Sequence, residues 1–164
     1  MYFYTVPQPL KRYPALQPLS REHHEILLAV WKLRQGLQTE VTVVEMNNYL
    51  QHFYTRYLQP HVTKEQALIR LLPAEEPVVR QYAEAVQKIT SLLHQINEQP
   101  DRPAITHFAN LIYDTVRVEE RSLFMLAQRV LTKEQLTALQ QQLGMQQLSC
   151  PAWAHQFWLD KRAS

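Results

Sequence analysis

Two glycines and a single cysteine are all that these 164 residues hold of either type. With 46% apolar residues and much Leu, Gln, Glu and Ala, so little glycine suits helices far better than sheets. Lone Cys150 excludes an internal disulfide framework and fits a reducing compartment. The chain also lacks any apolar run approaching the roughly 18 residues that span a bilayer. Its opening, Met1 to Pro7, has no basic segment followed by an apolar one, so no signal peptide is expected. Charge of one sign is missing too: 17 Lys and Arg are interspersed with 15 Asp and Glu, for a formal charge of +2. The isoelectric point near 8.7 therefore does not come from the basic stripe that marks a nucleic-acid binder. Gly-rich phosphate loops, nucleophile elbows and paired cysteines are absent, leaving no catalytic constellation of the hydrolase or transferase kind. These absences predict a cytoplasmic protein without nucleic-acid or membrane partners and not an enzyme of the ordinary sort. Self-association into a homodimer stays open.

What is present is helical periodicity punctuated by ten prolines. Residues 1–19 carry four aromatics and four prolines and read as an extended arm packed on the domain formed by residues 20–164. Ser20 is placed to cap a first helix, with His23, Ile26, Val30, Leu33 and Leu37 on one stripe and His24, Leu27, Leu28 and Trp31 on its neighbour. Gly36 reads as its stop signal. A second helix is expected over 39–72, kinked or locally broken at Pro60. A third opens at Glu75-Glu76-Pro77 and buries Val78, Tyr82, Ala85, Val86, Ile89, Leu92, Leu93 and Ile96. A fourth runs from Pro103 to about Leu131, with Thr115, Glu119, Ser122, Phe124, Met125 and Leu126 on its inner half. Thr132 to Gln135 forms a capping box for a short helix ending at Gly144, and Trp153, Phe157 and Trp158 are spaced to dock as a last helical turn. Long amphipathic helices with short connections predict an all-α, antiparallel up-and-down four-helix bundle, with an N-terminal arm and a short C-terminal helix plus tail.

Ionisable residues on inward faces are the candidates for chemistry. Tyr57, His61 and Glu65 are four apart and line one helix face, and a neutral imidazole and a carboxylate at that spacing can reach one metal ion. Helix one offers His23 or His24, and helix four Glu119. Buried carboxylates at 65 and 119 need a cation or a donor. A shared metal is one answer; a hydrogen-bond network with Tyr57, Tyr82, Thr115 or Arg121 is the other. His52, His94, His107 and His155 read as surface or capping residues.

Three stretches carry a resemblance. Leu19 to Arg34, with its Glu22-His23-His24-Glu25, is similar to the opening helix of bacterial hemerythrin-like (HHE cation-binding) domains. Leu58-Gln59-Pro60-His61 with Glu65 resembles their second helix, and Val116-Arg117-Val118-Glu119-Glu120-Arg121-Ser122-Leu123-Phe124 resembles their fourth-helix signature. The segment from Trp153 to Trp158 resembles the family's tail. The resemblance implies a four-helix bundle holding non-haem iron, with histidines from all four helices and a glutamate from helices two and four. His23 or His24, His61, Glu65 and Glu119 match that set. The helix-four histidine position is Thr115, and the helix-three position is Ala85 or Tyr82. Two imidazoles fewer implies one divalent ion or none, in a protein handling or sensing O2, NO, iron or redox state. The alternative is a metal-free bundle serving as an interaction module or a small-ligand binder.

Overall fold

A computed structural model describes residues 11–145 and 147–160 of the chain. The fold is all-helical, and no strand runs among the described residues. Helix α1 spans Gln17–Gly36 and α2 spans Val43–Phe53. Next come α3 (Gln59–Ile69), α4 (Pro77–Glu98), α5 (Arg102–Val118), α6 (Phe124–Val130) and α7 (Lys133–Gly144). Among the described residues, no helix is long and apolar enough to cross a membrane.

Side-chain caps fix three of the seven starts. Thr42 accepts the Glu45 N–H, and Asp101 accepts the Ala104 N–H, satisfying amides that have no partner within their helices. Thr132 and Gln135 close the expected capping box. Arg102, one residue into α5, donates to the carbonyls of Leu37, Thr39 and Val41 at 2.7–3.0 Å and so ties the start of α5 to the α1–α2 connection.

The beginning of the chain departs from expectation. Pro14–Leu16 is a 3-10 turn that runs straight into α1, so the helix starts before Ser20, which lies inside it. Ala15, Leu16 and Leu19 are fully buried and pack with Leu136, Leu139 and Leu143 of α7. These residues are core, not an outer arm, because three apolar side chains at helical spacing cover the exposed apolar face of α7. The aromatics at positions 2–4 lie outside the described residues.

The second and fourth expected helices are each interrupted by one wider turn. At Tyr54–Leu58 and Glu119–Leu123 the backbone is π-helical: the Gln59 N–H donates to the Tyr54 carbonyl and the Phe124 N–H to the Glu119 carbonyl, five residues back. Pro60, which has no N–H to give, follows the first of these, so the helix is locally broken there as a wider turn. Each wide turn holds an extra residue, so the apolar phase shifts by about 100° downstream. That is why Ser122 and Met125 face solvent, while Leu123, Phe124, Leu126 and Ala127 are buried.

Gly36 ends α1 without a positive φ, so conformational freedom is not its use. A Cβ there would sit 2.7 Å from the Phe157 ring. The tail returns as a 3-10 turn, Phe157–Leu159, with Phe157 wedged against this glycine.

Helix α1 packs against α2, α3 and α5, and α4 packs against α2 and α5. The buried apolar residues form two clusters. One holds Ile26, Val30, Leu50, Tyr57, Leu58, Ile89, Ile112 and Val116, and the other holds Leu16, Leu19, Leu68, Tyr82, Leu123, Phe124 and the α7 leucines. Along α1 the change from one to the other falls at Glu22 and His23. Along α3 it falls between His61 and Glu65, and along the α5–α6 segment at Glu119. A polar layer separates two apolar cores.

Candidate metal centre

His23, His61, Glu65 and Glu119 supply that layer, and one donor atom from each lies within 4.8 Å of all the others. All four side chains are nearly inaccessible to solvent. His23 Nε2 stands 2.6 Å from Glu119 Oε2 and 3.4 Å from Glu65 Oε1, and His61 Nε2 stands 3.1 Å from Glu65 Oε1. Both imidazoles thus present Nε2 to the same point. Their other nitrogens are held from behind: His23 Nδ1 lies 2.6 Å from Glu120 Oε1, and His61 Nδ1 lies 2.6 Å from Glu22 Oε2. An Nδ1–H donated to a carboxylate fixes the tautomer that leaves Nε2 free to bind a cation, the arrangement found behind most metal-binding histidines.

A second ring completes the electrostatics. Arg12 pairs with Glu120 at 2.7 Å, Lys64 pairs with Glu22, and the Tyr82 hydroxyl donates to Glu65 Oε2 at 2.8 Å. With neutral histidines, the carboxylates of Glu22, Glu65, Glu119 and Glu120 face one ammonium and one guanidinium. Two negative charges are left over in a largely buried place. Two protons or one divalent cation would balance them, and a buried charge left unbalanced costs several kcal/mol.

The titration behaviour follows from the same geometry. Burial opposes a charge on His61, but the Glu65 carboxylate and hydrogen bonds to Glu22 and Glu65 outweigh it and raise the ring to about 9. Burial likewise opposes a charge on His23, and Glu119, Glu120 and Glu65 together push its pKa well above the ordinary value. Glu119 is pushed up, first by burial and then by the neighbouring charge of Glu65. Burial works against ionisation of Glu120 as well, yet the hydrogen bond from His23 and the nearby Arg12 help bring it down to about 2.

One atom stands out. Glu119 Oε2, although close to His23 Nε2, is buried without a properly aligned hydrogen bond. An ion bound between this carboxylate oxygen and the imidazole nitrogen would give both a partner and would spread them from 2.6 Å to about 3.0–3.4 Å. Donors at about 2.1 Å from one ion lie about 3.4 Å apart in a tetrahedral site and at most about 4.2 Å apart in any, so donors now spread over up to 4.8 Å would draw in by about 0.6–1.4 Å. The donor set fits a single divalent first-row metal.

The sequence expectations sort as follows. His23, His61, Glu65 and Glu119 come together. His24 is exposed and outside the cluster, because the core-facing stripe of α1 passes through Glu22, His23 and Ile26. Leu28 and Trp31, expected beside His24, are also largely exposed. Tyr57 is buried but stacks on Phe53 at 5.5 Å, since the wide turn it belongs to breaks the simple spacing to His61. The phenol that reaches Glu65 is that of Tyr82. Thr115 donates to the Leu111 carbonyl, and Arg121 is exposed. His94 and His107 are exposed, His52 lies beside Trp153, and His155 pairs on the surface with Glu45 and Asp160. Sequence reasoning missed Glu22, Lys64 and Arg12 as supports, and gave Glu120 no role. The one available signal was the adjacency of Glu22, Lys64 and Glu120 to His23, Glu65 and Glu119; Arg12 had none. Comparison with protein-family models, curated proteins and solved structures finds no match to this chain, so what the centre does is argued from its own geometry.

Proposed function

We propose that the protein is a hemerythrin-like four-helix bundle that binds one divalent metal ion, ferrous iron first, through His23, His61, Glu65 and Glu119. The observation that carries this reading is the convergence of two anchored Nε2 atoms and two carboxylates, one of them with an orphaned oxygen, on one buried point. The bundle arrangement is supported by a closed ring of packing, in which α1 touches α2 and α5, and α4 touches the same two helices. Two neutral nitrogens and two carboxylates suit Fe(II), Mn(II) or Zn(II), and their joint charge favours one ion over two. An iron ion in this place would supply one-electron exchange and affinity for diatomic gases, which is the basis for assigning O2, NO or redox handling. The protein's own part is to hold both rings in the Nε2-free tautomer, bring the two carboxyl groups to the same point and exclude bulk water.

The test is elemental analysis of full-length protein purified without added metal or chelator and again after anaerobic Fe(II) reconstitution, with zinc and manganese read in the same samples. About one ion per chain is expected, with its loss in a His61→Ala variant that keeps its helical circular dichroism. No bound ion after reconstitution would overturn the reading, and so would an unchanged metal content in His61→Ala.

A further inference from the structure

Between α4 and α5 a cavity of about 150 Å³ runs inward from the surface. Gln81, Glu84, Lys88 and Asp114 are exposed and form its outer rim; Ala85, Leu111 and Val118 form its apolar walls. Its inner end is made by Tyr82, Thr115 and Glu119. A smaller space shares Thr115 and Glu119 with it and is also lined by His61 and Glu65, so the inner end of the cavity lies beside the buried cluster. The positions that lack the expected histidines, Tyr82, Ala85 and Thr115, all line this one cavity.

The inner end has a definite polarity. The Thr115 hydroxyl gives its only hydrogen to the Leu111 carbonyl at 2.7 Å, and the Tyr82 hydroxyl gives its hydrogen to Glu65 at 2.8 Å. Both oxygens keep lone pairs and have no second proton to offer. Glu119 also lines the inner end, but its Oε2 stands 2.6 Å from His23 Nε2. Two hydroxyl acceptors line the inner end, so a guest that brings a donor is favoured. The walls favour an apolar body, and a space of about 150 Å³ takes a molecule the size of benzene.

We propose that the α4–α5 cavity is a binding site for a small neutral organic molecule with an apolar body and one O–H or N–H donor, such as a phenol. The site needs the cavity and not an ion, so it stands or fails apart from the metal reading.

The probe is phenol, titrated into the full-length chain by calorimetry and by amide chemical shifts, with toluene as the donor-less comparison. Phenol is expected to move the amides of 81–88 and 111–119 and to bind at least about tenfold more tightly than toluene, the worth of one hydrogen bond to a buried acceptor. Ala85→Phe, which fills the cavity, is expected to abolish the phenol response. Thr115→Val, close in shape, should weaken it about threefold or more and keeps the test alive if the larger side chain disturbs folding. Toluene binding as well as phenol, shifts mapping to other helices, or a phenol affinity unchanged by Ala85→Phe would each overturn the proposal. Metal content measured on the same samples reads the other hypothesis separately, since neither substitution removes a proposed ligand.

Discussion

Glu22 and Glu120 do for the two histidines what packing alone cannot, by holding each ring at Nδ1 so that Nε2 stays turned to the centre. Replacing such an outer partner commonly costs about 10–100-fold in metal affinity. Glu120→Gln is therefore expected to weaken Fe(II) or Zn(II) binding by that factor, measured by competition with a chelating dye, with thermal unfolding changed far less than by loss of His61. At this scale the sequence is legible only where spacing is short. His61 and Glu65 declare themselves by lying four apart on one helix. His23 and His24 cannot be told apart by periodicity, because both border the inward stripe. Glu120 reaches His23 from 97 residues away, a contact that no local pattern encodes.

Among the elements, the two wide turns decide which residues of α3 and α6 face inward. Beyond the first wide turn His61, Glu65, Leu68 and Leu72 are inward as the spacing predicts; beyond the second, Phe124 and Leu126 are inward too, while Ser122 and Met125, expected beside them, are exposed, Met125 by 41%. Nothing in Tyr54–Leu58 or Glu119–Leu123 announces an extra residue, since a wide turn is selected by what the downstream face must pack against. The end of α1 makes a second point about elements. Gly36→Ala would drive a methyl into the Phe157 ring at 2.7 Å, and overpacking of this sort costs about 1–3 kcal/mol. Gly144, at the end of α7, has open space around it and no positive φ, so Gly144→Ala is expected to be neutral or to stabilise by up to about 1 kcal/mol. Urea unfolding of the two variants checks both, and equal effects would contradict the close approach of the tail to α1.

For the whole molecule, the charged layer couples stability to pH. The folded pKa of His61, about 9, lies above the ordinary imidazole value of 6.5. Its contribution is therefore complete below 6.5 and is lost as pH rises through 9, on the order of 3 kcal/mol in all. Glu120 has the opposite sign: held near 2, it stabilises above about 4.5 and stops doing so as pH falls through 2. Metal-free protein should be most stable between those limits, in mildly acid solution. Metal binding requires neutral rings and releases protons, so the stabilisation by added Zn(II) should grow from pH 6 to pH 9. Melting temperatures with and without metal across that range test this, and a gap that narrows with pH would refute it. The helical class was legible because a 3.6-residue repeat is a local signal. Of the charged layer between two apolar cores, the inward His and Glu residues were legible, but its outer partners Arg12, Glu22, Lys64 and Glu120 were not, because they meet the histidines and one another only after the helices pack.

The wide turns also bear on how the length of this chain can vary. A one-residue deletion inside Tyr54–Leu58 or Glu119–Leu123 would leave an ordinary helical turn, and every residue beyond it would keep its present facing. The same deletion elsewhere in either helix would rotate all that follows by about 100°. The two places where this fold can gain or lose a residue without being rebuilt therefore lie at Glu119 and two residues before Pro60 and three before His61, beside the groups proposed to hold the metal.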